Sequence, residues 1–147
     1  SLVGSEMCIR DREYIAGVEL TCGVIEASDG KTLFSLTPIS PRKKDQEIFD
    51  YETKYENDSE HNSPAPISIS EKELVQKIAL AVHKHLSFRH YSAVDIILHP
   101  TRGAFLLEVN TLPGLTETSI FPKSLQAHGI SMSDFLDHLL SLALNRT

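Results

Sequence analysis

The sequence predicts an α+β domain with a largely antiparallel sheet and helices packed against it, on three observations. Two pairs of strand-like stretches are each joined by a short turn, at Ser28-Asp29-Gly30-Lys31 and at His99-Pro100-Thr101-Arg102-Gly103. A stretch with a helix-start signature separates the pairs. Two more helical stretches follow the second pair, with no internal repeat or heptad.

Taken in order, residues 1–12 have no initiator Met and lack the long apolar core of a signal peptide. They resemble translated adapter sequence, so the expectation is a non-native leader on a fragment whose N-terminal portion is missing. Apolar and polar residues alternate over 18–25 as in a half-buried strand, the Asp29-Gly30 turn follows, and the return strand runs over 32–37 until Pro38 stops it. Residues 39–66 are polar and loop-like, with a basic trio at Arg42-Lys43-Lys44. A connection that long is functional or disordered more often than not. Ser70-Glu71-Lys72-Glu73 has the form of a capping box, and Leu74, Ile78, Val82 and Leu86 follow at helical spacing, predicting a helix over 70–88. After the second hairpin, Pro122 suits the first turn of a helix ending near Gly129. Ile130 and Phe135 flank Ser131 as a hydrophobic staple, opening a last helix with Phe135, Leu136, Leu139, Leu140 and Ala143 inward.

The 147 residues suffice for one domain with its own core, and 41% hydrophobic with 23% charged residues is ordinary for a soluble globular chain. A net charge of -6 without a Lys/Arg stripe argues against nucleic acid, and no apolar run spans a bilayer. Cys8 and Cys22 make no disulfide framework, so a reducing, cytoplasmic setting is the default.

The second hairpin carries the chemistry. Leu106-Leu107-Glu108-Val109-Asn110 reads as a buried strand with Glu108 and Asn110 on one face. If His99 faces Ala104 across the turn, Asp95 falls opposite Glu108 and Ala93 opposite Asn110. Like charges directly opposite on a sheet are destabilising, so a shared proton or a divalent cation must offset them. Asp, Glu and an Asn carbonyl are hard-oxygen ligands of the kind Mg²⁺ uses together with substrate phosphates. The alternative is a slip of register that leaves these residues solvated on an edge hairpin, and spacing alone leaves both open.

Glu108-Val109-Asn110-Thr111-Leu112-Pro113-Gly114-Leu115-Thr116, followed by Ser119 and Pro122, resembles the C-terminal signature of D-alanine-D-alanine ligases, enzymes of the ATP-grasp fold. The likeness extends back through Val94-Asp95, Asp50-Tyr51-Glu52-Thr53-Lys54-Tyr55, Pro64-Ala65-Pro66 and Gly17-Val18-Glu19-Leu20-Thr21. It implies that residues 13–147 are a C-terminal ATP-grasp domain without the N-terminal domain and most of the central one. It also implies ATP-dependent joining of two D-alanines for peptidoglycan through an acylphosphate. Asp95, Glu108 and Asn110 would hold two Mg²⁺ (or Mn²⁺) ions on the ATP phosphates. Glu19 would bind the ribose hydroxyls, with Tyr14 and Ile15 on the adenine-binding segment. Lys54 and Tyr55 would sit on a loop closing over the site, Lys54 neutralising phosphate. Gly114 would bring a backbone N–H to the tetrahedral intermediate, and Ser119 would bind the second D-alanine's carboxylate. The implied partners are ATP, D-alanine and the missing domains, with a homodimer as the expected assembly and neither nucleic acid nor membrane.

This sequence departs from the family twice: Arg12 replaces an acidic hinge residue, and Ala93 replaces an arginine two before the metal aspartate. Another ATP-grasp carboxylate-amine ligase is the second reading, against which Gly114 to Ser119 speaks. A non-catalytic nucleotide-binding remnant is the third, and Ala93 is its support.

Overall fold

The computed structural model describes residues 12–41 and 65–145. Lys54 and Tyr55, the basic trio and residues 1–11 lie outside the described residues. Strands β1 (Val18–Glu26), β2 (Leu33–Ser35), β3 (Tyr91–His99) and β4 (Gly103–Asn110) form an antiparallel sheet in the order β2-β1-β3-β4. Helices α1 (Ile69–His85), α2 (Ile120–Ala127) and α3 (Met132–Leu144) cover it.

Period-two alternation divides the sheet into two cores. Leu20, Cys22, Val24, Val94, Ile96 and Leu98 point to one face, where Val75 and Ala79 of α1 seal them. Ile25 and Ala93 point to the other, under Phe121 and Leu125 of α2 and Phe135 of α3. Gly23 makes that second core possible, because a Cβ there would stand 2.7 Å from Leu36 Cδ1 and 2.9 Å from Phe121 Cε2. Burial pushes the Cys22 thiol up to about 12, so it stays protonated at neutral pH and is a packing residue.

Several expectations shift by a residue or more. The return strand is only three residues long. Asp29 accepts from the Lys31 and Thr32 amides and from the Thr32 hydroxyl, which widens the turn, and the ladder resumes past Pro38 where Thr21 and Ile39 exchange both backbone bonds. Ile39, expected in a loop, is therefore core. Helix α1 starts earlier, because Ser68-x-x-Glu71 is the capping box that forms: the Glu71 amide donates to Ser68 Oγ, and Glu71 Oε2 accepts from the Ser68 amide at 2.8 Å. Its end is also earlier, with Ser87 and His90 at positive φ. The buried line of α1 is Val75, Ala79 and His83, one residue round from the apolar stripe, leaving Leu74 41% and Leu86 51% exposed. Replacing Ser68 by Ala is expected to cost about 1 kcal/mol, read from urea unfolding.

His83 explains the rotation: its Nδ1 pairs with the buried Ser92 Oγ at 2.8 Å, a bond no apolar periodicity registers. Its Nε2 is buried without a partner among the described residues. Burial holds the imidazole below its ordinary 6.5, against the opposing pull of Glu26. The folded chain therefore binds fewer protons than the unfolded chain below about that pH, and stability falls as pH drops through it. The expected result is a lower unfolding midpoint at pH 5.5 than at pH 7.5, with the difference reduced in His83→Gln. An equal pH dependence in both proteins would contradict the assignment.

Helix α2 begins at Ile120 with Pro122 in its first turn and closes through Gly129 at φ +80, with the Ile130 amide on Leu125 O. Ser131 caps α3 as expected, but only a narrow face turns inward. Phe135 is buried and Leu139 is packed against it, whereas Leu136, Leu140 and Ala143 are exposed. His138 takes the inward place beside Leu139, its Nε2 2.6 Å from the backbone oxygen of Glu26.

Candidate nucleotide and metal site

Between the helical cover of the second core and residues 12–17 at the other end of that face lies one row across the sheet: Ile39, Thr21, Asp95, Glu108. Residues directly opposite in an antiparallel ladder share a face, so the Asp95 and Glu108 carboxylates are cross-strand neighbours. Asn110, opposite Ala93, lies two residues on along β4 and on the same face. Asp95 is half-buried; Glu108 and Asn110 are exposed, at the rim.

The turn is one residue off the expected register: Leu98 faces Ala104 and His99 faces Gly103. A β-bulge between Asp95 and Ile96 absorbs the slip, so that Ile96 faces Leu106 and the pairing of Asp95 with Glu108 is kept. Strand β4 is moreover an edge strand, half-buried along alternate residues and not fully buried as expected.

Asn110 Oδ1 accepts the Leu112 amide at 2.9 Å and so turns the chain out of β4. Gly114 and Ser119 then meet, since a Cβ on Gly114 would stand 2.7 Å from Ser119 Oγ. Ser119 is the N-cap of α2, yet its hydroxyl makes no cap bond and instead pairs with Thr116 Oγ1 at 2.8 Å. At the other end Glu19 sits opposite Ile97, one row from Thr21. Within residues 12–17, Gly17 presses close to β3, where a Cβ would run into the Leu98 oxygen and stand 2.9 Å from Ile97 Cγ2. Glu13 pairs with Arg102 at 2.8 Å, and the Arg102 guanidinium lies 4.7 Å above the Phe105 ring, fixing the segment to the hairpin turn. Tyr14 is 80% exposed there and Ile15 half-buried.

The fold thus unites Asp95, Glu108 and Asn110, separately unites Gly114 with Ser119, and places Tyr14, Ile15 and Glu19 at the far end. Among the described residues no three His, Cys, Asp or Glu side chains are grouped to hold a metal. Two carboxylates and a carboxamide still form a hard-oxygen set that fits Mg²⁺ shared with phosphate oxygens. The residue that periodicity passes over is Thr21; its signal is the β1–β3 register, which needs the fold.

The four-stranded antiparallel sheet and its helices match solved D-alanine ligases, which makes the class an ATP-grasp C-terminal domain. The D-Ala:D-Ser ligase VanG of Enterococcus faecalis shares the fold at a TM-score of 0.73 and 30% identity, over 88% of this chain and 37% of that one. A Bacillus anthracis D-alanine-D-alanine ligase matches at a TM-score of 0.68 and 37% identity, over 90% and 41%. The family model described as D-ala D-ala ligase C-terminus matches residues 9–141, and the chain belongs to that family. The D-alanine-D-alanine ligase of Leptospira interrogans is 37% identical over 145 residues, 97% of this chain but 41% of that protein. The chain therefore spans about two fifths of the length of the curated relatives it matches.

Proposed function

We propose that this chain is the C-terminal catalytic part of an ATP-dependent ligase that joins two D-alanines for peptidoglycan in the cytoplasm. A first D-alanine carboxylate attacks the γ-phosphorus of ATP and ADP leaves. The second D-alanine's amine then attacks the acyl carbon, phosphate leaves and the amine gives up a proton. The observation that carries the reading is the facing of Asp95 and Glu108 across β3 and β4, with Asn110 on the same face. Mg²⁺ held there would supply positive charge between these carboxylates and the phosphates.

This chain's own residues bind and position. Glu19, Tyr14 and Ile15 take the nucleoside end, one row and more from the acidic pair. Gly114 presents backbone where charge develops on the acyl oxygen. The Ser119 hydroxyl, which pairs with Thr116 Oγ1 rather than with its own helix, would turn to the second substrate's carboxylate at the N-terminus of α2. Lys54 would neutralise phosphate charge, with Tyr55 next to it in sequence. A homodimer remains part of the proposed assembly.

Residues 13–147 joined to the preceding part of the Leptospira interrogans ligase should release phosphate in a D-alanine-dependent way, while the 147-residue chain alone should not. Preference for D-serine or D-lactate over D-alanine would correct the second substrate. A fusion inert with all three amine or hydroxy acids, even with an arginine restored at position 93, would overturn the reading.

A further inference from the structure

We propose that Thr21 is a positioning residue for the acidic pair: its hydroxyl sets the rotation of the Asp95 carboxylate and thereby the affinity of the Asp95–Glu108–Asn110 set for a divalent cation. The inference rests on the metal-nucleotide reading above and adds to it a residue that binds neither metal nor substrate.

The geometry comes from the ladder. In an antiparallel strand the N–H and C=O of one residue point to the same side. Both of Thr21's point to Ile39, with Thr21 N donating to Ile39 O at 2.9 Å and Ile39 N to Thr21 O at 3.0 Å. Towards β3, Thr21 and Asp95 are therefore a non-hydrogen-bonded pair, the narrow kind, with Cα atoms about 4.5 Å apart and side chains close. The Asp95 backbone faces the other way, towards β4, where opposite residues stand about 5.5 Å apart. The row is thus tight on the threonine side and wide on the side of Glu108, where a cation must fit. The bulge beside Asp95 re-aims β4 at that same point.

Thr21 is suited to hold the carboxylate from the tight side. It is 8% exposed, its backbone is anchored by Ile39, and its branched Cβ restricts χ1. The hydroxyl donates to Asp95 Oδ1 at 2.6 Å, a short charge-assisted bond. Outer-shell partners of this type fix how a ligating carboxylate is presented, and their loss typically lowers metal affinity about 10- to 100-fold.

The test titrates the 147-residue chain with Mn²⁺ in the presence of ATP and counts bound ion from the loss of the free Mn²⁺ electron paramagnetic resonance signal. Thr21→Val removes the hydroxyl at equal size, Thr21→Ala removes it without adding a methyl group, and Thr21→Ser keeps it. Expected are affinities about 10- to 100-fold weaker for Val and Ala, near-parental affinity for Ser, and thermal midpoints that do not follow this order. Parental affinity in either hydroxyl-free variant, or a Ser variant as weak as Val, would overturn the proposal while leaving the metal reading intact. A parental chain that binds no Mn²⁺, or whose binding is unchanged by Glu108→Gln, would overturn both.

Discussion

Restoring an arginine at position 93 is expected to raise the turnover of the completed ligase by on the order of 10² to 10³. Ala93 is only 4% exposed, and lies between Gly23 and Asn110 in the row next to the acidic pair. Its face is that of Asp95, so a long side chain starting there can run towards the place where phosphate and acyl-oxygen charge develop. A guanidinium offers paired donors to such charge, whereas a methyl group offers none. Exposed Asn110 directly opposite gives the head group an outlet at the sheet edge, with the stem lying beside Phe121. Added volume in that core should cost about 1 to 3 kcal/mol of stability, so turnover and unfolding must be measured together. A rise in kcat with a fall in unfolding midpoint is the expected pair of results. Unchanged turnover at a level already normal for the fusion would show that another group has the role.

Phe121→Ala should be the most damaging single truncation in this chain, at about 3 to 5 kcal/mol. Phe121 stands 5.4 Å from the Phe135 ring and 5.6 Å from Tyr91, and Tyr91 meets Phe135 edge-on at 5.4 Å. This triangle fastens α2 and α3 to the sheet, and Gly23 has no side chain because the Phe121 ring occupies that space. Ser119 is the N-cap of α2 and lies against Gly114, so the truncation should also weaken use of the second substrate in the fused enzyme. Denaturant unfolding of the isolated chain reads the first effect, and KM for the second D-alanine the second. A loss below about 1 kcal/mol would mean that the two helices are held elsewhere.

The antiparallel plan and the meeting of Asp95 with Glu108 were legible because turn chemistry and period-two alternation are local signals. The bulge was not, since Leu106 and Leu107 are both apolar and either can be the extra residue; the expected pairing at the site survives because the bulge cancels the slip at the turn. The capping box was expected at Ser70, whereas the same Ser-x-x-Glu pattern two residues earlier, at Ser68, is the one that forms. The inward line through His83 was hidden because a buried histidine paired through one nitrogen with Ser92 looks polar to any apolar count. Leu136 and Leu140 were expected inside because helical spacing gives the width of an apolar stripe, not of the surface it meets. Thr21 became visible only once β1 was paired with β3, because its role depends on a neighbour 74 residues away.

Anomalous scattering from Mn²⁺ in crystals of the fused enzyme soaked with ATP tests the central claim most directly. Ion density is expected within about 2.1 Å of the side-chain oxygens of Asp95, Glu108 and Asn110, with the ATP phosphates on its other side. Ion and phosphates found away from these three residues, with Asp95 and Glu108 sharing a proton instead, would contradict it.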